Sequence, residues 1–226
     1  ISTAILRDND GNLAPPSDEG VMWVRGNSSA PLYWNRPENT AETMRGAIRL
    51  ACEERDAYWR EHGGEGRSRP LVAASLGPYG ACLHDGSEYH GNYDLNRRAL
   101  RDFHRSRLDV LAESDADLLA FETIPSQEEA EILLELLEDY PARQSWLSYS
   151  CRNGAEVSHG EPFSVCAALA DQSPQTVAVG ANCTAPGNIA ALLESASGLE
   201  TPLAAYPNSG EHWNATSQDW EGEVCG

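Results

Sequence analysis

A cysteine, a carboxylate and several small polar side chains stand at the ends of short apolar runs. The run Val177-Ala178-Val179-Gly180-Ala181 stops at Asn182-Cys183-Thr184, and Pro186 lies where a following helix can begin. Glu122 ends the run Asp117–Phe121, and Ser150-Cys151 ends the run from Ser145. Gly77-Pro78-Tyr79-Gly80 follows Leu71–Leu76, and Pro207-Asn208-Ser209-Gly210-Glu211 follows Pro202–Tyr206. In alternating α/β proteins the carboxyl ends of the strands share one rim, and chemistry is placed there. One rim would then hold a carboxylate, a cysteine, small polar groups, and glycines that let a ligand approach the backbone. Such a set suits a small polar amino acid and does not by itself name a reaction.

The elements that must position these residues are legible from periodicity. Asn39 or Thr40 can cap a helix reaching about Glu61, with Met44, Ala47, Ile48, Ala51 and Cys52 at helical spacing. Further helices are expected over Leu95–Ala112, after Ser126, over Phe163–Ala170 and over Gly187–Ser197. Ser126 and Glu129 have the spacing of a capping box, and Ala130, Leu133, Leu134 and Leu137 form the apolar stripe behind it. Five strand–helix alternations imply a parallel sheet. An open doubly wound sheet fits that count as well, but no GxGxxG or GxxxxGK[ST] follows any strand. The expected fold class is α/β, a (β/α)8 barrel seen incompletely, with about strands 3 to 7 present; a whole barrel takes about 250 residues. Residues 1–38 read as a loop-rich segment or insertion with a short extended piece at Val21–Val24, and residues 39–226 as the partial barrel domain.

Composition narrows the partners. A formal charge of −19 repels phosphate, so neither nucleic acid nor an anionic membrane is an expected partner. No apolar run approaches the length of a membrane-spanning helix. All 16 basic residues are arginine, which suits a protein adapted to high salt, where screening relieves self-repulsion; a GC-rich genome writes the same composition. The six cysteines lack CxxC pairs or compact spacing, which points to a reducing, cytoplasmic setting rather than a disulfide scaffold. The chain opens on Ile1 and closes on Glu223-Val224-Cys225-Gly226 without a helix end, as a fragment would.

Four motifs in one order carry more than any of them alone. GPYGAxLxDGSEYxGxY (Gly77 to Tyr93), ETIPSxxEAE (Glu122 to Glu131), GxNCTxP (Gly180 to Pro186) and YPNSGExW (Tyr206 to Trp213) together resemble the homocysteine S-methyltransferase family, in its S-methylmethionine-using branch. The resemblance covers about residues 40–222. It implies a (β/α)8 barrel and a zinc ion held by three cysteine thiolates, one of them Cys183. The other two would come from a GGCC motif on the eighth strand, which this chain does not contain; the family's opening DGGxGT is also absent. The resemblance further implies that Glu122 meets the substrate amino group, with Asn182, Tyr206 and Ser209 lining the same pocket. Homocysteine and S-methylmethionine would be the substrates, with S-adenosylmethionine a second possible donor.

The chemistry accounts for those residue types. An alkyl thiol with a pKa near ~8.5 is little ionised at neutral pH, and zinc, a borderline-soft Lewis acid, favours its thiolate. In-line attack on a sulfonium then needs mainly positioning, and Cys183 is a ligand in this scheme rather than the nucleophile. Each residue also has a plainer role: a strand-end cysteine is usually a small core residue, Glu122 could cap a helix or pair with an arginine, Asn182 could be a structural hydrogen-bonder, and Pro-Asn-Ser-Gly makes an ordinary turn. Cys82 and Cys151 are expected to be structural, and the six histidines to be surface or local hydrogen-bonding groups. Two rivals remain: an inactive truncated paralogue or amino-acid-binding remnant, and a barrel lyase using Glu122 as acid or base. The absence of lysine removes Schiff-base chemistry from the visible residues.

Overall fold

Each short apolar run bounded by turn residues becomes a strand, and each 3.6-period stripe a helix. The computed structural model describes residues 22–24, 37–64, 66–83, 85–209, 212–214 and 219–222. In chain order these form β1 (Met22–Val24), α1 (Pro37–His62), β2 (Val72–Leu76), α2 (Arg97–Ala112), β3 (Leu118–Ile124), α3 (Gln127–Leu137), β4 (Ser145–Tyr149), α4 (Phe163–Asp171), β5 (Thr176–Asn182), α5 (Pro186–Ser195) and β6 (Leu203–Tyr206). Two single turns of 3-10 helix, Tyr79–Cys82 and Ser87–Tyr89, lie between β2 and α2. A small antiparallel pair, β7 (His212–Asn214) with β8 (Asp219–Glu221), follows. Cys225 and Glu211 lie outside the described residues.

The sheet settles the choice between the two parallel architectures. Its six strands run in the order β1-β2-β3-β4-β5-β6, and every neighbouring pair is parallel. A doubly wound sheet reverses its strand order at a switch point; this sheet never does. Uniform right-handed crossovers laid side by side make the arc of a barrel. Among the described residues no pairing joins β6 back to β1, so the arc is open. It has one more strand than the five read from the sequence, because β1, only three residues long, pairs with β2 from within the loop-rich stretch.

Alternation gives the sheet two different faces. Val72, Ala74, Leu76, Leu119, Phe121, Leu147, Tyr149, Val179 and Ala181 point toward the helices and share one buried cluster with Leu108, Leu133, Leu137, Phe163 and Leu192. The intervening positions face the other way. There Ala73, Leu118 and Ala120 pack with Trp146 into a second, smaller cluster, which Val177 joins from the irregularity in the β4–β5 register. Above it, on the same parity, come Ser75, Glu122, Ser148, Asn182 and Tyr206. Small residues beneath polar ones leave a floor with functional groups over it. Gly180 belongs to this arrangement: a Cβ built there would lie 1.6 Å from the Ala204 carbonyl oxygen, so only glycine lets β5 and β6 come together as they do. At the opposite, amino-terminal end, buried Arg55 pairs with Asp117, whose Oδ2 also accepts from the Val72 N–H at 2.7 Å, a tie that joins α1, β2 and the start of β3.

Candidate functional site

The carboxyl ends of β2 to β6 meet in one hydrogen-bonded network. Glu122 sits where the β3–β4 register shifts, between Phe121 and Ile124, and such an irregularity re-aims a side chain next to a site. Its Oε1 accepts from Ser75 Oγ on β2. Its Oε2 accepts from the Tyr206 hydroxyl on β6 at 3.3 Å. Trp146 Nε1 donates to Tyr206 Oη from below at 3.0 Å, and Ser148 Oγ shares a short contact with the same oxygen. Burial, and then the neighbouring Glu122 charge, push the Tyr206 phenol well above its ordinary value, so it remains a neutral donor.

Asn182 continues the network to the cysteine. Its Oδ1 accepts from Ser148 Oγ and from the Thr123 backbone N–H, each at 2.8 Å. Its Nδ2 donates to Thr123 Oγ1 at 2.8 Å and to Cys183 Sγ at 3.4 Å. Thr123 Oγ1 also lies 3.6 Å from that sulfur. Thr123 and Cys183 both take left-handed backbone, at φ 63° and 46°, and for a β-branched residue that conformation is strained. Beyond Cys183, Thr184 Oγ1 donates to the Asn182 carbonyl and accepts from the Cys151 N–H, both at 2.9 Å. The Tyr206–Ser209 turn is laid against β5 by Cys183 N–H donating to Tyr206 O and Asn208 N–H donating to Thr184 O.

The structure therefore brings Glu122, Asn182, Cys183 and Tyr206 into one connected set, with Ser209 exposed three residues past Tyr206. Ser75, Thr123, Trp146 and Ser148 complete it and were missed from sequence. For Ser75, Trp146 and Ser148 the missed signal was parity: polar or bulky residues at alternate positions of otherwise apolar strands, pointing to the helix-free face; Thr123 leaves that alternation through its left-handed backbone.

A second missed feature pins the loop after β2. Ser126 Oγ accepts from the Glu129 N–H at 3.3 Å, which is half of the expected capping box. The other half never forms, because the Glu129 carboxylate turns into the core. Its Oε1 accepts from the Tyr79 N–H and lies against His104 Nε2, each at 2.7 Å, and its Oε2 accepts from Tyr93 Oη at 3.0 Å. Glu129 and His104 are fully buried, so His104 is a local hydrogen-bonding group deep in the fold. Gly80 closes the same loop: a Cβ there would meet the Glu88 backbone nitrogen at 2.3 Å. The loop then reaches the end of β4, where Ser150 Oγ donates to Glu88 O at 3.2 Å.

Cys183 is half-buried at the rim, and its sulfur accepts hydrogen bonds at both contacts, as a sulfur ligand supported by its surroundings does. One thiolate alone is no zinc site, and among the described residues no group of three His, Cys, Asp or Glu side chains is placed to hold a metal. Cys183 thus fits as one member of a larger donor set. Burial pushes the Cys151 and Cys166 thiols up to about 12 and raises those of Cys52 and Cys82. Iodoacetamide applied to the folded protein at pH 8 should therefore leave Cys151 and Cys166 unlabelled while denatured protein labels fully, as peptide mapping would read. Rapid native labelling of either would contradict their burial.

Comparison with known proteins follows the same lines. The family model of the homocysteine S-methyltransferases matches residues 27–226. A homocysteine S-methyltransferase of Escherichia coli is 45% identical over 182 residues, and one of Bacillus subtilis, YbgG, 41% over 181; each alignment covers 79% of this chain and 58% of the relative. The metallated form of the homocysteine methyltransferase MmuM from Escherichia coli superposes with a TM-score of 0.76 at 39% identity, over 83% of this chain and 66% of that one. The chain spans a little under three-fifths of the length of these curated relatives. With the unbroken strand order, the likeness identifies the six-stranded arc as part of a (β/α)8 barrel.

Proposed function

The chain belongs to the homocysteine S-methyltransferase family, and on that premise we propose that the full-length protein transfers a methyl group from a sulfonium donor to homocysteine, giving methionine. S-methylmethionine is the preferred donor in this reading and S-adenosylmethionine the second. The observation that carries it is the juxtaposition of Glu122, on β3, and Cys183, just past β5, tied together across β4 and β6 through Thr123, Asn182, Ser148 and Tyr206.

Glu122 takes the homocysteine ammonium. Ser75 and Tyr206 hold its two oxygens and so fix the direction in which its remaining lone pairs point. Tyr206 and Ser209 line the same mouth. Cys183 would hold zinc together with two further cysteines outside this chain, and zinc there would supply the substrate thiol as thiolate at neutral pH. A bond then forms between the homocysteine sulfur and the methyl carbon as the bond from that carbon to the donor sulfur breaks. Anion and sulfonium cancel to two neutral thioethers, so a site that excludes water favours the step. Glu129, through Tyr79 and Tyr93, fixes both ends of the loop that follows β2.

A cytoplasmic setting completes the proposal. Among the described residues no helix is long and apolar enough to cross a membrane, and Cys52, Cys82, Cys151, Cys166 and Cys183 are not joined in disulfides. We assign residues 39–226 to the barrel domain and residues 1–38 to a preceding segment that adds β1 to the same sheet and contains the start of α1.

Full-length protein given homocysteine and S-methylmethionine should produce two methionines per turnover, one from acceptor and one from donor, and a zinc chelator should stop it. Binding of homocysteine without methionine formation in the zinc-replete protein would support an amino-acid-binding remnant instead.

A further inference from the structure

Asn182 has no hydrogen-bonding capacity left for a substrate. A side-chain amide offers two acceptor lone pairs and two N–H donors. Thr123 N–H and Ser148 Oγ use the first pair, Thr123 Oγ1 and Cys183 Sγ the second, and the residue is 2% exposed. Its orientation is determined as well. The Thr123 backbone N–H can only donate, so the amide oxygen must face it and the NH2 group must face the sulfur. Thr123 Oγ1 accepts from Asn182, which leaves its own proton to point at Cys183 Sγ, 3.6 Å away. Two donors on two different strands thus converge on one sulfur. The left-handed backbone at both Thr123 and Cys183 places them there, and strain of that kind persists only where the surroundings over-determine it.

We infer that Asn182 and Thr123 are positioning residues for Cys183, a two-donor cradle that aims its sulfur and draws electron density from it, rather than contacts for the amino acid. The inference rests on the proposed function, because it takes Cys183 to be a metal ligand. Hydrogen bonds to a thiolate lower the energy of its lone pairs. Removing one raises them, which shifts a thiolate-to-metal charge-transfer band to longer wavelength, while the sulfur left without that aim holds the metal less well.

The test uses full-length protein loaded with cobalt(II) in place of zinc. Thr123→Val removes one donor in nearly the same shape, with an equally β-branched residue at the strained position. Asn182→Asp keeps both acceptor bonds, removes the other donor and draws the Thr123 hydroxyl proton to its new carboxylate oxygen, so the sulfur loses both donors. Both should move the thiolate-to-cobalt band to longer wavelength and weaken metal retention about 10–100-fold, and Thr123→Ser should restore the wild-type band. A merely structural role would lower stability and leave the band in place. An unmoved band in cobalt-loaded Thr123→Val and Asn182→Asp overturns the cradle while leaving the metal site standing. No thiolate-to-cobalt band in the wild type overturns the zinc reading and the cradle with it.

Discussion

Glu122→Gln in the full-length protein is expected to lower kcat/KM for homocysteine about 100-fold, near 3 kcal/mol, the upper range for a hydrogen bond to a charged group. Gln is tolerated because its oxygen still accepts from Ser75 Oγ. The Tyr206 proton can turn to Ser148, whose oxygen already touches the phenol. What disappears is the negative charge facing the substrate ammonium. The effect should fall mainly on KM, since the ammonium is bound alike in ground and transition states. A substrate cycle makes this specific. The wild type should prefer homocysteine over 4-mercaptobutanoate, which lacks the amino group, and Glu122→Gln should lose most of that preference. Equal losses with both thiols would show that Glu122 acts elsewhere than on the ammonium.

Glu129→Ala is expected to destabilise the fold by about 3–5 kcal/mol, the range for removing one partner of a buried pair. Three donors lose their acceptor at once: the Tyr79 N–H, His104 Nε2 and Tyr93 Oη, all packed around a carboxylate with no exposed surface. Burial, and then the Glu129 charge, already hold the Tyr93 phenol far above its ordinary value, so it stays a neutral donor to the carboxylate. Ser126→Ala removes only the cap of α3 and should cost about 1 kcal/mol. Urea midpoints of the two variants separate the roles. If Glu129→Ala costs no more than Ser126→Ala, Glu129 is a capping residue and the loop after β2 is held by something else. Because a few kcal/mol is a large share of a domain's total stability, Glu129→Ala should also broaden or abolish cooperative unfolding.

The contrast between these two glutamates shows what a linear reading can reach. Glu122 was legible because it ends an apolar run, and a strand end is a local pattern. The run of the strands, the helix stripes and the place of Cys183 were legible for the same reason. Glu129 fitted a local pattern too, the capping-box spacing after Ser126, but its side chain follows tertiary partners 25 to 50 residues away, and these outweigh a single cap. Ser75, Ser148 and Trp146 were hidden differently. A lone serine in a short strand says nothing until the neighbouring strands are in register, and only then do five alternate positions line up on one face. The left-handed turns at Thr123 and Cys183 have no sequence mark at all, since neither residue type favours that backbone. Thr123 is tied to Asn182 on another strand, a pairing that no local pattern shows. Asn182 itself was noticed as a candidate, and its two alternative roles, substrate contact and structural hydrogen-bonder, become distinguishable only by counting its four bonds.

Zinc content of the full-length protein, wild type against Cys183→Ser, bears most directly on the claim that these strand ends form a thiol-activating centre. Serine keeps the size and the backbone turn but offers a hard, poorly ionised oxygen where a soft thiolate stood. The wild type should carry about one zinc per chain after dialysis, and Cys183→Ser should carry almost none while keeping its fold by circular dichroism. Methionine formation from homocysteine and S-methylmethionine should disappear with the metal. Equal zinc in both proteins, or undiminished methionine formation by zinc-free wild type, would contradict the account.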